Sequence, residues 1–380
     1  MSQRRYHFAV VSYRDIRHPE FGGAEVIMYE ICRRFAAWGH RVSFLTGHWS
    51  DAPRRETIEG MDIHRAGNTY TFNYVAPWML RRLMRTETFD LVIEDINKIP
   101  FYTPWFQKQA PVLAVVPHLF GTTVFQQASL PLAAYVYGWE QLIPLAYRRS
   151  RFSVLSHTTA ADLERRGIAR DRMQLIRAGI DHTYYQPPAR EGRVPRPIVT
   201  YLGRIKKYKR IDLVIRALPA VLAEVPQAEY WIVGDGDYRP QLEALAEKLG
   251  LGDHVRFLGF QSGREKLETL YRTRALAYTS PKEGWGLSVI EANALGIPAI
   301  ASDAPGLRES VRDGETGFLV PHGDVAALAR ALIRLFREDD LWWRLGRAGM
   351  EWAAEFHWDR AAKETYALAE QLIMEWKDQG

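Results

Sequence analysis

Short apolar runs alternate with amphipathic stretches along the whole chain, the pattern of strands followed by helices that builds parallel α/β sheets. In the first half, strands are expected at 7–12, 41–46, 62–65, 91–95, 112–117, 152–156 and 174–178, with helices at 24–38 and 159–166 closed by Gly39 and Gly167. In the second half, strands are expected at 198–202, 230–233, 255–258, 275–278, 299–302 and 317–320. Helices lie between them at 211–225, 239–249, 266–272, 287–295 and 307–311. Two long amphipathic helices finish the chain, one at 325–336 and one at 341–376 that breaks near Phe356-His357-Trp358-Asp359.

Between these halves lies 185–197, with four prolines and one glycine in thirteen residues, which forbids a helix or a central strand and reads as a linker. A chain of 380 residues is long for a single core and suits two domains. No uncharged apolar run reaches the roughly 18 residues of a membrane span. Met1-Ser2-Gln3-Arg4-Arg5 runs straight into the first strand, leaving no room for a secretory signal. Cys32 is the one cysteine, which excludes an internal disulfide and fits a reducing cytoplasm. The net charge of +5 decides nothing about partners. No nucleic-acid module, P-loop or G-x-S-x-G elbow is found, so no nucleic-acid partner is expected.

The chain is organised around Pro281-Lys282-Glu283-Gly284-Trp285-Gly286-Leu287-Ser288-Val289-Ile290-Glu291. An expected strand, a glycine-flanked turn and a helix start make an anion site, because free N–H groups and the helix dipole both favour negative charge there. Glu291 lies where a carboxylate can accept both hydroxyls of a ribose, and Glu283 lies before the turn, nearer the phosphate end. A loop with two solvated glutamates explains the spacing equally well. At the first strand end of the second half, Gly203 lets the backbone turn away; Arg204 offers a planar fork and Lys209 a point charge, a pairing suited to a diphosphate. Lys206 and Lys207 read as solvated. Gly234-Asp235-Gly236 is a further strand-to-helix turn. In the first half, Gly22 and Gly23 open a helix before Glu25, and His118 follows the strand at 112–117.

These segments resemble the GT4 family of retaining glycosyltransferases (glycosyl transferases group 1): E-x7-E at Glu283 and Glu291, G-R-x4-K at Gly203, Arg204 and Lys209, G-x-G at Gly234–Gly236, and G-G-x-E at Gly22, Gly23 and Glu25. The resemblance implies the GT-B fold, two Rossmann-like domains facing each other across a cleft, with the last helix crossing back to the first. The domains would be 1–190 for the acceptor, joined by a crossing helix at about 358–380 with Trp358, Ala362, Tyr366 and Leu368 as its packing face, and 198–357 for the donor. It implies retaining, metal-independent transfer of a sugar from a nucleotide donor, UDP-sugar favoured and GDP-mannose the other candidate, to a sugar, glycolipid or small-molecule acceptor. His118, Glu283, Arg204 and Lys209 would be catalytic. Gly22, Gly23, Gly203, Arg204, Lys209, Gly234, Asp235, Gly236, Phe257, Leu258, Glu283, Gly284, Trp285, Gly286, Leu287 and Glu291 would hold the donor. His157 is a weaker candidate, and His182 follows a turn in which Ala178 replaces the family's asparagine.

No metal or other cofactor is expected: there is no H-E-x-x-H and no Cys/His cluster, and the D-x-D spelling of Asp235 and Asp237 falls inside the G-x-G turn. A nucleotide-sugar epimerase, a sugar phosphorylase and a non-catalytic nucleotide-sugar-binding subunit stay open as alternatives. One apolar stretch, 130–147, carries Tyr135, Tyr137, Trp139 and Tyr147 and is followed by Arg148, Arg149 and Arg151. With Trp78 to Arg82 it reads either as helix packing between domains or as a surface for an anionic membrane at the inner face.

Overall fold

The computed structural model describes residues 4–68, 70–97, 99–126, 129–189 and 194–378. Met1, Ser2 and Gln3 at the start, Arg190, Glu191, Gly192 and Arg193 of the expected linker, and Gln379 and Gly380 of the expected crossing helix lie outside them. The chain forms two compact units: Met1–Gly179 with Trp358–Gly380, and Ile180–His357.

The first unit holds eight strands: β1 (His7–Val11), β2 (Arg41–Gly47), β3 (Arg55–Ile58), β4 (Met61–Ala66), β5 (Leu91–Asp95), β6 (Val112–Val116), β7 (Arg151–Val154) and β8 (Met173–Leu175). They form one sheet in the order β3-β4-β2-β1-β5-β6-β7-β8. Strands β1, β5 and β6 are buried throughout, as strands covered on both faces must be. Helices α1 (Gly23–Ala37), α2 (Phe72–Leu83), α3 (Thr103–Phe106), α4 (Leu130–Glu140), α5 (Ile143–Ala146) and α6 (His157–Glu164) connect them.

An all-parallel sheet is not what forms. β3 runs antiparallel to β4 in a hairpin whose two loop residues, Glu59 and Gly60, both have positive φ, at 47° and 78°. The polar sequence Arg55-Glu56-Thr57 hides this edge strand from a search for apolar runs.

The second unit holds β9 (Ile198–Leu202), β10 (Glu229–Val233), β11 (Val255–Gly259), β12 (Ala275–Tyr278), β13 (Ala299–Ser302) and β14 (Gly317–Val320), all parallel, in the order β11-β10-β9-β12-β13-β14. Its helices are α7 (Asp212–Glu224), α8 (Arg239–Lys248), α9 (Gly263–Arg272), α10 (Leu287–Ala294), α11 (Leu307–Ser310), α12 (Val325–Arg337) and α13 (Asp339–Ala353). α13 backs α10, with Trp352 donating its indole N–H to Ser310 O at 3.0 Å.

α14 (Trp358–Asp378) belongs to the first unit and packs on α1. Trp358, Ala362 and Leu368 are buried. The Tyr366 ring lies 5.8 Å from Phe35 and 5.0 Å, stacked, from His40.

The units part before the proline-rich stretch, not within it. Ile180 N–H donates to Phe356 O at 3.1 Å, and the Tyr271 hydroxyl donates to Gln186 O at 3.1 Å. These bonds tie 180–186 to the second unit. The first boundary therefore falls at Gly179, where 190 was expected, and the second unit starts at Ile180, where 198 was expected.

Candidate functional site

Arg204 and Lys209 follow the C-terminal end of β9, and Glu283 follows that of β12. Lys209 ends a single 3-10 turn after β9, Lys207–Lys209, and its ammonium meets Glu283 Oε1 at 2.6 Å. Both side chains are nearly enclosed, at 10% and 13% exposure. The rings of Tyr208 and Tyr278 lie 5.0 and 5.3 Å from the ammonium, and Tyr201 stacks on Tyr278 at 5.6 Å. Burial by itself would lower the lysine's pKa. The Glu283 carboxylate and the surrounding phenols outweigh it and hold the value well above the ordinary lysine range. Burial pushes the Tyr278 hydroxyl up to about 12, against the pull of Lys209. Ser280 donates its hydroxyl to the same Glu283 oxygen at 2.5 Å. The expected free cation is thus a lysine–carboxylate pair in an aromatic box. Arg204, by contrast, is exposed and pairs with no carboxylate among the described residues.

The loops after β9 and β10 are joined main chain to main chain, and to the end of β11. Gly203 N–H donates to Val233 O at 3.0 Å, Gly234 N–H to Gly259 O at 2.7 Å, and Ile205 N–H to Asp235 O at 2.8 Å. At Gly234, with φ +132°, a Cβ would lie 1.9 Å from Gly203 O. The turn expected at Gly234 is present, and the space beside its Cα is taken by the neighbouring loop. The same holds at Gly236, its Cβ position 2.1 Å from Ile205 O. Asp235 is exposed and its carboxylate accepts Gly236 N–H at 2.8 Å. Lys206, read as solvated, meets Asp237 at 2.8 Å. Phe257 and Leu258 are half-buried on β11, and the Arg239 guanidinium lies over the Phe257 ring at 5.6 Å.

Gly284 and Leu287 are half-buried around the start of α10, and Gly286 is its N-cap, with φ +84°. Glu283 N–H donates to Pro305 O at 3.0 Å, and a Cβ on Gly306 would meet Glu283 O at 2.1 Å. Gly306 is therefore a site residue the motif search passes over. The Trp285 ring is 3% exposed and sits edge-on to Phe356 at 5.2 Å, so this residue offers a ligand its main chain and not its indole. Glu291 Oε2 meets Lys266 Nζ at 3.0 Å. Each carboxylate of the E-x7-E pair is thus held by a lysine from elsewhere in the chain. The contacts span 74 and 25 residues, which no local pattern reveals.

In the first unit, His118 is half-buried after β6, edge-on to Phe120 at 5.2 Å. Its loop is held by Glu140, a fully buried carboxylate at the end of α4 that accepts Phe120 N–H at 2.7 Å and Gly121 N–H at 2.8 Å. An apolar surrounding sequence hides Glu140. Gly22 N–H donates to the buried Glu25 carboxylate at 2.9 Å, so Glu25 fixes the turn that opens α1. A Cβ on Gly23 would meet nothing within 4 Å, so this glycine, unlike Gly234, is not required by packing. His157 starts α6, and His182 contacts Phe356 O at 2.9 Å. Among the described residues, no group of three or more His, Cys, Asp or Glu side chains is arranged to hold a metal ion, and no helix is long and apolar enough to cross a membrane.

Residues 21–184 match the family model described as Glycosyltransferase Family 4, and residues 188–352 match Glycosyl transferases group 1. The chain is 37% identical over 221 residues to the D-inositol 3-phosphate glycosyltransferase of Nocardia farcinica, covering 53% of this chain and 49% of that one. It is 37% identical over 178 residues to the phosphatidyl-myo-inositol mannosyltransferase of Mycobacterium leprae, covering 46% of each. The matches thus span about half the length of these curated relatives. Among solved structures, sucrose-phosphate synthase from Thermosynechococcus elongatus aligns over 98% of this chain and 100% of its own, with a TM-score of 0.81 and 25% identity. HepE from Anabaena, in complex with UDP and glucose, aligns over 97% and 100% with a TM-score of 0.76 at 18% identity, which shows likeness of fold. With the two family models reaching together from residue 21 to residue 352, the chain belongs to the GT4 glycosyltransferases and has their GT-B fold.

Proposed function

We propose that this chain transfers a sugar from a nucleoside-diphosphate donor, UDP-sugar favoured and GDP-mannose the other candidate, to a hydroxyl of a sugar, glycolipid or small-molecule acceptor. The observation that carries the reading is the exposed Arg204 guanidinium, without a carboxylate partner among the described residues, in the same motif as the enclosed Lys209–Glu283 pair, at the end of a parallel sheet where α/β folds bind ligands. Family membership and the likeness to a UDP-bound structure support it. Arg204 and the first N–H groups of α10 take the phosphoryl oxygens. Lys209 shares its charge between Glu283 and the phosphate that departs, and Glu291 accepts from the ribose hydroxyls.

The bond from the anomeric carbon to the phosphate oxygen breaks, and one to the acceptor oxygen forms on the same face. The acceptor proton passes to the departing phosphate, so configuration is retained and no metal is called on. The protein's part is orientation and charge stabilisation. Melting curves with UDP, GDP and ADP test the donor site: a rise with one of them is expected, and no rise with any overturns it. Incubation with donor alone separates the rival chemistry, since slow hydrolysis fits a transferase and isomerised donor an epimerase.

We also propose a cytoplasmic protein whose first unit touches an anionic membrane surface peripherally. α4 buries only Ala133 and Glu140. Trp78, Leu130, Leu132 and Leu145 are 64%, 72%, 52% and 60% exposed, and Arg81, Arg82, Arg148 and Arg149 are exposed in the same segments. Exposed aromatic and aliphatic groups flanked by arginines suit a headgroup layer carrying negative charge.

A further inference from the structure

Lys266 lies on α9, outside every motif singled out in the sequence. Its ammonium is nearly enclosed, at 17% exposure, and has two partners: Glu291 Oε2 at 3.0 Å and the Tyr185 hydroxyl at 2.5 Å. It also stands over the Tyr185 ring, 5.0 Å from the centroid. Tyr185 is 7% exposed. Its hydroxyl is pushed well above the ordinary range, by burial first and then by the charge of Glu291. Tyr184, beside it, donates to Gly263 O at 2.5 Å, at the first residue of α9. The segment that opens the second unit is thereby sewn to the helix that carries the lysine.

A glutamate on a helix surface ordinarily samples several rotamers, and ordering it costs entropy when a ligand arrives. Here one carboxylate oxygen is fixed by an ammonium, and a tyrosine hydroxyl stands against both the ammonium and the carboxylate. We infer that Lys266 and Tyr185 are positioning residues that hold Glu291 pre-aimed, so that it reads the ribose 2′- and 3′-hydroxyls of the donor nucleotide. This inference rests on the donor site proposed above. The pair touches the nucleotide only through Glu291. Its contribution is therefore to ribose recognition and to donor affinity, and not to the bond-breaking step.

The distinguishing measurement is discrimination between ribose and 2′-deoxyribose, which a merely structural lysine would leave alone. Calorimetric titration with UDP against 2′-deoxy-UDP, and with GDP against 2′-deoxy-GDP as the parallel pair, gives the ratio of dissociation constants. In the wild type the ribonucleotide binds about tenfold or more tightly. Lys266→Met is expected to weaken the ribonucleotide about tenfold and the deoxy form less than about twofold, collapsing the ratio, while donor KM rises and kcat changes little. Lys266→Arg should restore most of the ratio. Tyr185→Phe removes the hydroxyl that faces Lys266 and Glu291 and should lower the ratio by about threefold, a test that stands even if the methionine variant does not fold. A wild-type ratio in Lys266→Met or in Tyr185→Phe overturns the inference while the donor site stands. Failure of the wild type to bind any of the four nucleotides overturns the donor site and the inference with it.

Discussion

Lys209 Nζ and Glu283 Oε1 stand 2.6 Å apart inside a ring of tyrosines, so the site's enclosed cation is neutralised before any phosphate arrives. A diphosphate that docks there adds to an existing pair. Glu283→Gln should strand the ammonium in a poorly solvated box and destabilise the protein by about 3 kcal/mol, while Lys209→Met/Glu283→Gln should recover much of that loss. Urea unfolding of the two singles and the double gives the coupling. Additive losses would show that the two groups do not act as a pair.

Arg204 is the opposite case, exposed and without a carboxylate partner among the described residues. Arg204→Ala should leave the melting temperature within about 1 °C, because its side chain is exposed and the Tyr201 bond to its main-chain carbonyl is kept. Nucleotide affinity should fall by about 1.5–3 kcal/mol, the worth of a charge-assisted hydrogen bond. Undiminished affinity in calorimetry would remove Arg204 from the donor site.

Gly234→Ala should cost on the order of 3 kcal/mol, because its φ of +132° and the Gly203 carbonyl 1.9 Å from the new Cβ leave nowhere for a methyl group. Gly252→Ala, with open space around the position, is the control and should be near neutral. Equal melting temperatures for both variants would refute this account of the loop packing.

How much of this was legible in the sequence depends on how far apart the partners lie. Strands buried on both faces, such as β5, β9, β12 and β13, announce themselves as unbroken apolar runs, and their observed bounds match the expected ones. β3 does not, because a solvent-facing edge strand has no reason to be apolar. The motif residues were legible as chemistry but not as partnerships. Neither the Lys209–Glu283 pair nor the Lys266–Glu291 pair leaves a local signature, since each is made by the sheet order and not by spacing. The glycines were legible as turns. Whether a turn receives a ligand or a neighbouring loop is settled only by what stands at the missing Cβ.

His40 accepts Tyr6 N–H on Nδ1 at 3.2 Å and stacks against Tyr366 of α14, and burial lowers its pKa. A lowered histidine prefers to be neutral in the folded state. Its stabilising contribution is therefore present above the ordinary histidine value near 6.5 and is lost as pH falls from there through the depressed folded value. His7, His18, His64 and His322 are lowered by burial too and act in the same direction. Melting temperature should fall between pH 7 and pH 5, and less steeply in His40→Asn, which keeps an acceptor but cannot titrate. An unchanged slope in that variant would exclude His40 as a contributor.

For the exposed face of α2, α4 and α5, co-sedimentation with vesicles containing phosphatidylglycerol should recover the protein at low salt, and less of it at physiological salt. Trp78→Ala with Leu130→Ser should weaken recovery at both salts, because apolar insertion is not screened. Protein that stays in the supernatant at low salt would exclude the membrane contact.

The carbonyl–amide stitching of the β9 and β10 loops to each other and to the end of β11 has a consequence for anyone who would redirect this protein to a new nucleotide. A rim made of backbone offers few handles to point substitution, and each loop is shaped by its neighbours. Grafting one of them from a homologue would tear the seam it shares with the other, so the β9 and β10 loops have to be exchanged together as a single cassette.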